Sequence, residues 1–307
     1  MVTPVHDGEE HLAECVQSVV SQSYANWEYV VHDNCSSDRT AEIVDVFARK
    51  DTRVRYLRHD EYVDVIASYN RAVRATHPES RFCKVVGADD WLYPECLEEM
   101  VSVAVSNPSV GVVSGYRLNG EWLDFGGLPY GRQLVAGREI VGQSLLWRIA
   151  VLGSPTSVLL RSDLVRSREP FYDQSFRHAD TEAAYWALMR SDFGFVPRLL
   201  TFTRRPPVGE TPTSKRLNSE PPEEVRMLIR YGPGLLTETE YRQQLRRLLR
   251  SYVRWHLEQR LRPSRREDRD VRDFHRRVIG LIGAEAPDDA DVRLSMALAR
   301  FLLGDGA

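Results

Sequence analysis

Two adjacent carboxylates stand in the stretch "VVGADDWLYPECL", residues 85–97, where Asp89 and Asp90 follow an apolar run and precede a helix start. Like charges repel, and neither carboxylate is stable in a packed core without a compensating partner. A bound cation or a charged ligand would compensate them. The simpler interpretation is helix capping, because aspartates near a helix N-terminus accept hydrogen bonds from its free N–H groups and Pro94 suits the first turn.

Further acidic residues precede or open other predicted helices. Asp33 follows "WEYVV", with Asn34 and Asp38 close behind it. Asp180 and Glu182 lie in the first turn of the helix predicted for "HADTEAAYWALMR", where capping is again the simpler interpretation. His178 directly precedes this helix, although a lone histidine is more often structural.

The elements that position these residues follow from the hydrophobic pattern. Over the first 115 residues, short apolar runs alternate with amphipathic segments such as "EEHLAECVQSVVSQ" and "SSDRTAEIVDVFARK". This alternation predicts an α/β fold with a mainly parallel sheet and helices on both faces. The predicted strands are "VTPV", "WEYVVHD", "RVRYLRH", "FCKVVG" and "VGVVSGYRL".

Parallel sheets bind ligands at the carboxyl ends of their strands. Acids follow two of the predicted strands, Asp33 and Asp38 at the second and Asp89 and Asp90 at the fourth, and these segments lie far apart in the sequence. Capping accounts for each acid separately but not for their convergence on one edge. A ligand site at this edge is therefore favoured.

The rest of the chain predicts a division into three parts. The α/β domain covers residues 1–204, with strands and loops over a pocket at 116–175, a helix in "GREIVGQSLLWRIAVLG" and further strands in "PTSVLLR" and "FGFVPRLLTFTRR". Residues 205–220 are rich in Pro, Ser and Thr, which is typical of a mobile linker. Residues 221–307 are predicted to be helical.

Composition excludes several classes of protein. A net charge of −3 argues against a nucleic-acid binder, and no run of 18 apolar residues is present to span a membrane. The N-terminus lacks the pattern of a signal peptide. The four cysteines have no paired spacing and no CxxC motif, which favours reduced structural thiols over a zinc site. We therefore expect a cytoplasmic protein.

One C-terminal segment is strongly basic. Residues 237–277 contain 13 Arg against 7 Asp and Glu, on a helix whose apolar face is formed by Tyr241, Leu245, Leu248, Leu249, Tyr252 and Val253. Such a helix can lie on an anionic membrane surface, here the inner face of the membrane. More often it packs on its own domain or on a partner in a homodimer.

Three ordered segments resemble family 2 glycosyltransferases with the GT-A fold, over about residues 1–204. "VTPVHDGEEHLAECVQSVVSQSYANWEYVVHDNCSSDRT" is similar to the nucleotide-binding half of that family, and "GADDWLYPECL" to its metal-binding segment. "HADTEAAYWAL" resembles the segment that supplies the catalytic base. The resemblance implies a transferase that moves a sugar from a nucleotide-diphosphate donor, typically a UDP-sugar, to an acceptor hydroxyl with inversion.

The resemblance also assigns roles to residues on the donor side. Thr3, Pro4 and Val5 would line the nucleoside pocket, and Asp33 would accept a hydrogen bond from the base. Asp89 would contact the ribose or the sugar. Mg²⁺ or Mn²⁺ would be held by the neighbouring aspartate, Asp90, against the diphosphate.

On the acceptor side, the resemblance implies that Asp180 is the general base, with Glu182 as the second candidate. Additional acceptor contacts are expected from His178, Tyr130 and Ser154. The acceptor itself stays open among glycans, lipid-linked glycans and small molecules, because the sequence contains no code for it.

The chain departs from the family pattern at several positions. Gly87 stands where many relatives carry a further Asp, so a metal site with a single acid is expected. Asn34 and Cys35 replace the commoner Asp and Gly, and Asp64 replaces a Gly. Relatives usually have several residues ahead of "VTPV", so we expect the first strand to be clipped.

Two alternatives to a glycosyltransferase remain. A sugar-phosphate nucleotidyltransferase shares the sheet and the acids but would need a Gly-rich, basic loop after the first strand, where "HDGEEHL" is acidic. A catalytically inactive relative that acts as a binding subunit would not need Asp33, Asp90 and Asp180. Loss of donor binding on Asp90→Ala would separate an active enzyme from an inactive one.

Overall fold

The computed structural model describes residues 1–126, 128–129, 131–205, 210–261 and 269–304. The chain forms two compact units. The first contains Met1–Ile140 and Arg148–Arg205, and the second contains Val141–Trp147 together with the described residues after Arg205. Within the described residues, none of the helices is both long enough and apolar enough to cross a membrane.

Among its described residues, the first unit contains ten strands. They are β1 (Val2–Val5), β2 (Tyr29–Asn34), β3 (Val54–His59), β4 (Phe82–Cys83), β5 (Trp91–Leu92), β6 (Val110–Asn119), β7 (Trp122–Asp124), β8 (Leu134–Val135), β9 (Val158–Arg161) and β10 (Asp192–Thr203). A short 3-10 helix, Pro155–Ser157, precedes β9.

Helices alternate with these strands. They are α1 (Leu12–Val20), α2 (Thr40–Ala48), α3 (Val65–Arg74), α4 (Cys96–Ser106), α5 (Gly137–Leu145), α6 (Ser162–Arg166) and α7 (Ala179–Leu188). Their apolar residues recur at helical spacing: Leu12, Cys15, Val16 and Val19 of α1 are all buried.

The strands form two sheets that meet at the first strand. β1, β2 and β3 are parallel neighbours in that order. The second sheet has the order β4-β9-β6-β10-β5, with β7 on β6 and β8 on β10. Its longest ladder, β6 with β10, is also parallel, whereas β9 and β5 run antiparallel to their neighbours. The α/β fold with its parallel sheet is confirmed, and the second half of the sheet is mixed.

The segment after β4 joins the two sheets. The Val2 N–H donates to the Lys84 carbonyl at 2.9 Å, and the Val86 N–H donates to the Val2 carbonyl at 2.9 Å. The predicted fourth strand, "FCKVVG", is therefore only partly regular, although it follows the expected path beside β1. This path brings Asp89 and Asp90 to the same edge as the carboxyl ends of β1 and β2.

The second unit is helical, with α8 (Glu210–Leu217), α9 (Glu220–Tyr231), α10 (Glu238–Arg260), α11 (Arg269–Glu285) and α12 (Ala290–Leu303). A capping box at Thr237 and Glu240 begins α10, and Asp289 caps α12. The predicted apolar face of α10 is largely buried through Leu245, Leu248, Leu249 and Tyr252.

Two predicted elements differ from the structure. Within the segment 205–220, residues Glu210–Leu217 form α8 and Glu220 begins α9, so most of the predicted linker is helical. Residues 206–209 lie outside the described part. The helix predicted for 137–153 ends at Leu145, because Trp147 has a φ of 57°, a left-handed conformation that a helix does not continue through.

Candidate active site

The two adjacent aspartates converge on one point above the backbone of Gly87. A Cβ built on Gly87 would lie 2.9 Å from Asp90 Oδ2 and 3.3 Å from Asp89 Oδ1. Asp89 is half-buried, and no described residue forms a hydrogen bond or an ion pair with its carboxylate. The arrangement leaves two carboxylates close together with one of them uncompensated.

Asp90 is held firmly by two neighbours. The Thr156 hydroxyl donates to Asp90 Oδ2 at 2.5 Å, and the Arg204 backbone N–H donates to Oδ1 at 2.9 Å. Burial, followed by the charge of Asp89, raises the pKa of Asp90 to about 7, while these two hydrogen bonds oppose the rise. A cation at this point would favour the ionised form of both carboxylates.

Thr156 connects Asp90 to the core of the first unit. Its Oγ1 also accepts a hydrogen bond from the Gly87 N–H at 2.9 Å, so one hydroxyl ties both ends of the Gly87–Asp90 turn. The fully buried Lys84 donates through Nζ to the carbonyls of Thr156 at 2.6 Å and Val158 at 3.3 Å. Burial lowers the pKa of Lys84, which has carbonyls rather than a carboxylate as its partners.

Arg204 places a cation beside the same turn. It follows β10, and its Nε donates to the Asp89 carbonyl at 3.0 Å while Nη2 pairs with Glu14 Oε2 at 2.6 Å. The side chain is 26% exposed, so part of the guanidinium faces solvent next to the two acids. A diphosphate near Asp89 and Asp90 would meet this positive charge.

The residues expected to line the nucleoside pocket are buried. Thr3, Pro4 and Val5 lie in β1, which is buried along its whole length. The Thr3 hydroxyl accepts a hydrogen bond from the Tyr29 hydroxyl at 2.6 Å, which directs this side chain into the core. A nucleoside at this edge could reach the end of β1 but not the Thr3 hydroxyl in this arrangement.

Asp33 lies at the carboxyl end of β2, as the sequence predicts, but its side chain has no exposure. Its Oδ1 accepts from the Ser36 N–H at 2.8 Å, and its Oδ2 accepts from the Tyr56 hydroxyl. The carboxylate therefore holds the turn after β2, and the expected contact with a base is not available in this arrangement.

Hydrogen bonds join the loops after β1 and β2. The Gly8 N–H donates to Thr40 Oγ1 at 2.9 Å, and the Glu9 N–H donates to Asp38 Oδ2 at 2.8 Å. Burial alone would raise the pKa of Asp38, but hydrogen bonds from Thr40 and the Glu9 backbone lower it below its usual value. Asn34 joins the next loop by accepting from the Val63 N–H at 3.0 Å and donating to its carbonyl at 2.8 Å.

Asp180 and Ser154 line the same narrow cavity. The cavity also includes Gly153 and Pro155, directly before Thr156, and its volume is only about 10 Å³. Asp180 is half-buried, and no described residue forms a hydrogen bond or an ion pair with its carboxylate. Ser154 Oγ lies 3.0 Å from Thr203 Oγ1, next to Arg204. Asp180 thus lines a cavity with the segment directly before Thr156, the residue that binds Asp90.

Glu182 has a different environment from Asp180. It is 1% exposed and forms a two-pronged ion pair with Arg168, at 2.8 Å from Nη1 and 3.2 Å from Nη2. Because this carboxylate is buried and held by Arg168, it is not exposed to a substrate. The structure therefore gives Glu182 a role in stability.

The other two acceptor candidates contribute less to this picture. His178 precedes α7, and its carbonyl accepts from the Glu182 N–H at 3.2 Å. Tyr130 lies outside the described residues.

The residues present fit a hard divalent cation. Among the described residues, no cluster of three or more His, Cys, Asp and Glu could hold a metal unaided. Mg²⁺ and Mn²⁺, however, are commonly bound by one or two carboxylates and take their other oxygens from phosphate and water. The convergent oxygens of Asp89 and Asp90, with Asp89 uncompensated, match that chemistry.

Sequence reasoning missed Thr156, Lys84 and Arg204. Thr156 and Asp90 are separated by 66 residues, and the Arg204 N–H and Asp90 by 114, so no local pattern reveals these contacts. A signal was available for Arg204, since the predicted last strand ends in a basic pair.

A larger cavity, of about 450 Å³, lies at the opposite edge of the sheet. Its lining includes Met1, Trp27, Glu28 and Phe82, which precede or begin strands. None of the sequence-predicted site residues lines it, so cavity size does not identify the candidate site in this fold.

The chain has the GT-A fold, with a parallel sheet and acids at its carboxyl edge, and solved structures share this fold. S. aureus TarS 1–349 in complex with UDP-GlcNAc is 16% identical with a TM-score of 0.65, covering 99% of this chain and 90% of that one. The mannosyltransferase PcManGT from Pyrobaculum calidifontis, in complex with GDP-Man and Mn²⁺, is 13% identical with a TM-score of 0.54, covering 98% and 84%.

Residues 1–165 match the family model "Glycosyl transferase family 2", and the chain belongs to this family. The O-antigen biosynthesis protein RfbC of Myxococcus xanthus is 33% identical over 37% of this chain and 9% of its own length. The putative teichuronic acid biosynthesis glycosyltransferase TuaG of Bacillus subtilis is 24% identical over 38% and 46%. The alignments thus span less than half of these relatives.

Proposed function

We propose that this protein transfers a sugar from a nucleotide-diphosphate donor, with UDP as the nucleotide, to an acceptor hydroxyl with inversion at the sugar carbon. The observation that carries the proposal is the convergence of Asp89 and Asp90 over Gly87, with Asp180 accessible nearby, in a member of glycosyl transferase family 2. The TarS complexes with UDP-GlcNAc and UDP support a uridine nucleotide.

On the donor side, Asp90 would hold Mg²⁺ or Mn²⁺, and Asp89 would contact the ribose or the sugar. When bound, the metal would neutralise charge on the diphosphate leaving group. Arg204 adds a fixed positive charge at the same place, since its guanidinium already lies against the Asp89 carbonyl. The Mn²⁺ in the PcManGT complex supports the choice of a hard divalent cation.

On the acceptor side, Asp180 would take the proton of the attacking hydroxyl. The acceptor oxygen forms a bond to C1 as the C1–O bond to the diphosphate breaks, and the electron pair leaves with the nucleoside diphosphate. We prefer Asp180 over Glu182 because its carboxylate is accessible and unpaired among the described residues, whereas that of Glu182 is bound to Arg168. The product is a glycoside of inverted configuration.

The names of the relatives support a glycan as the acceptor. RfbC and TuaG are named for O-antigen and teichuronic acid biosynthesis. The cavity beside Asp180 has room for about one water molecule. We infer that it forms the floor of the acceptor site, with Ser154 on its wall.

Calorimetric titration of UDP and of GDP, each with Mn²⁺ and with EDTA, tests the donor assignment. We expect UDP to bind only with Mn²⁺, and we expect Asp90→Ala to abolish this metal-dependent binding. Ser162→Ala is a matched control, because its buried hydroxyl has no hydrogen-bond partner among the described residues. Binding of GDP alone would contradict the choice of UDP as the donor nucleotide. A folded protein that binds neither nucleotide would contradict the proposed transferase activity.

A further inference from the structure

The second unit has an exposed apolar face, which we define as the α10–α12 face. It consists of two residues at the end of α10 and three on α12. Their exposed fractions are Leu257 45%, Leu261 70%, Leu294 65%, Leu298 45% and Phe301 59%. Single exposed apolar residues are ordinary on protein surfaces, so contiguity decides whether this face matters.

The helical spacing aligns these residues within each helix. On α12, Leu294, Leu298 and Phe301 follow the i, i+4, i+7 pattern that places side chains on one side of a helix. The opposite side of α12 is also apolar and is buried through Val292, Met296, Ala299 and Leu303. Packing within the unit therefore explains only one of the two apolar sides of α12.

Three contacts show that the helices lie side by side. Arg246 on α10 pairs with Asp291 at the start of α12 at 2.9 Å. Near the other end, Arg260 Nη1 donates to the Phe301 carbonyl at 2.7 Å, and its guanidinium lies 5.1 Å from the centre of the Phe301 ring. α10 and α12 therefore run in the same direction, and Leu257 and Leu261 belong to the same end of α10 as Arg260, which contacts Phe301.

Arginines border the face on both helices. Arg250 and Arg254 precede Leu257 on the same row of α10, and the exposed Arg293 and Arg300 lie about two turns apart on one side of α12. Among the described residues, Arg250, Arg293 and Arg300 have no carboxylate partner. Arg254 pairs with Glu258 at 3.0 Å. The border of the apolar face therefore carries a net positive charge.

We propose that the α10–α12 face binds an anionic membrane surface. An apolar strip bordered by unpaired arginines inserts its apolar side chains at the acyl boundary and places the guanidinium groups at anionic head groups. A second copy of the chain is the other obvious occupant. A symmetric contact through this face would bring the unpaired arginines of both copies together, which opposes association. The charge pattern therefore selects the lipid surface.

Vesicle co-sedimentation tests the proposal, with vesicles of phosphatidylcholine alone and of phosphatidylcholine mixed with phosphatidylglycerol in equal amounts. We expect binding to the mixed vesicles to exceed binding to phosphatidylcholine by about tenfold and to weaken at high salt. Leu294→Ser with Phe301→Ser should reduce binding about tenfold, and Arg293→Glu with Arg300→Glu should reduce it at least as much.

Matched controls lie on α2 of the first unit. Val46 is 52% exposed, so Val46→Ser removes a comparable apolar group elsewhere, and Arg39→Glu with Arg49→Glu makes the same change in net charge. Both controls should bind vesicles like the unchanged protein. UDP titration of each variant shows independently that the first unit is intact.

Absence of binding to the mixed vesicles by the unchanged protein would overturn the proposal, as would equal loss in the control variants. Light scattering tests whether a second copy of the chain occupies the face. If the protein is a dimer that Leu294→Ser with Phe301→Ser converts to a monomer, the face belongs to a second copy and the membrane proposal is overturned. Because vesicle binding is measured without donor or acceptor, its failure would leave the proposed transfer reaction untouched.

Discussion

Replacement of Thr156 by valine tests how the two acids are positioned. The Thr156 hydroxyl is buried, accepts from the Gly87 N–H at 2.9 Å and donates to Asp90 Oδ2 at 2.5 Å. Valine keeps the shape of the side chain and removes both bonds. Thr156→Val should therefore release the turn that carries Asp89 and Asp90 while leaving the surrounding packing intact.

The magnitude follows from the two lost bonds. An unsatisfied buried N–H costs about 1–3 kcal/mol, and a hydrogen bond to a charged group contributes about 1.5–3 kcal/mol. Loss of the bond to Asp90 also raises the pKa of this carboxyl further, because the Thr156 hydroxyl favours its ionised form. Loss of a residue that orients a metal ligand typically weakens metal binding about 10- to 100-fold, and we expect that range for Mn²⁺.

The assay measures Mn²⁺ affinity by electron paramagnetic resonance and Mn²⁺-dependent UDP affinity by calorimetry, beside the thermal midpoint. Thr156→Ser retains the hydroxyl and should keep most of both affinities. If the role of Thr156 were merely structural, the two affinities would change only as far as the thermal midpoint changes. If Thr156→Val binds Mn²⁺ as tightly as the unchanged protein, or if Thr156→Ser is equally impaired, the argument for positioning is refuted.

Three further predictions follow from individual environments. Asp180→Asn should abolish turnover and retain the thermal midpoint, whereas Glu182→Gln should cost about 3–5 kcal/mol of unfolding free energy because it breaks the buried pair with Arg168. Denaturant unfolding and a transfer assay distinguish the two effects. Normal turnover in Asp180→Asn would show that Asp180 is not the base. Cys35→Gly should raise the unfolding free energy by about 1 kcal/mol, since Cys35 has a φ of 66° that glycine adopts without strain, and an unchanged or lower value in denaturant would contradict the strain argument. Burial and then His275 lower the pKa of His256 to about 3, so the unfolded state takes up a proton near pH 6.5 that the folded state refuses. Stability should fall as the pH is lowered from about 6.5 to about 3, by up to ~1.4 kcal/mol per pH unit, and His256→Phe should flatten this dependence in unfolding curves.

The sequence predicts the first half of the fold well because its pattern is local. Strands β1 to β3 and helices α1 to α3 each have a complete period of apolar residues within about ten positions, and parallel order follows from their alternation. The segment 205–220 differs from its predicted irregular structure for the opposite reason. A composition rich in Pro, Ser and Thr indicates a preference for irregular structure, and packing within the second unit overrides this preference at α8 and α9.

Elementary helix geometry separates two candidates that the sequence left together. Asp180 and Glu182 are two residues apart, which places them about 200° apart around α7. Only one of them can therefore face the cavity beside Ser154. The sequence alone did not indicate which of the two it is, because Arg168, the partner of Glu182, lies 14 residues away in irregular structure. The choice depends on a contact that has no local signature.

The departures from the family pattern also acquire physical meaning. Cys35 occupies a left-handed position where glycine is common in relatives, and its Sγ lies 3.2 Å from the Asp60 carbonyl. Asp64, in contrast, has an ordinary φ of −59° and caps α3 by accepting from the Ala67 N–H. One substitution therefore introduces strain and the other adds a cap, although the sequence presents both as the loss of a glycine.

The carboxylates of the site were visible in the sequence, but their supports were not. Asp90 is held by a hydroxyl 66 residues away and a backbone N–H 114 residues away, and the hydroxyl is in turn anchored by Lys84 through the Thr156 carbonyl. Each support comes from a different strand or loop, so the site forms only when β4, β9 and β10 are in place. A substitution anywhere along this chain of contacts should therefore affect metal-dependent donor binding before it affects the local fold, and Thr156→Val is the sharpest instance.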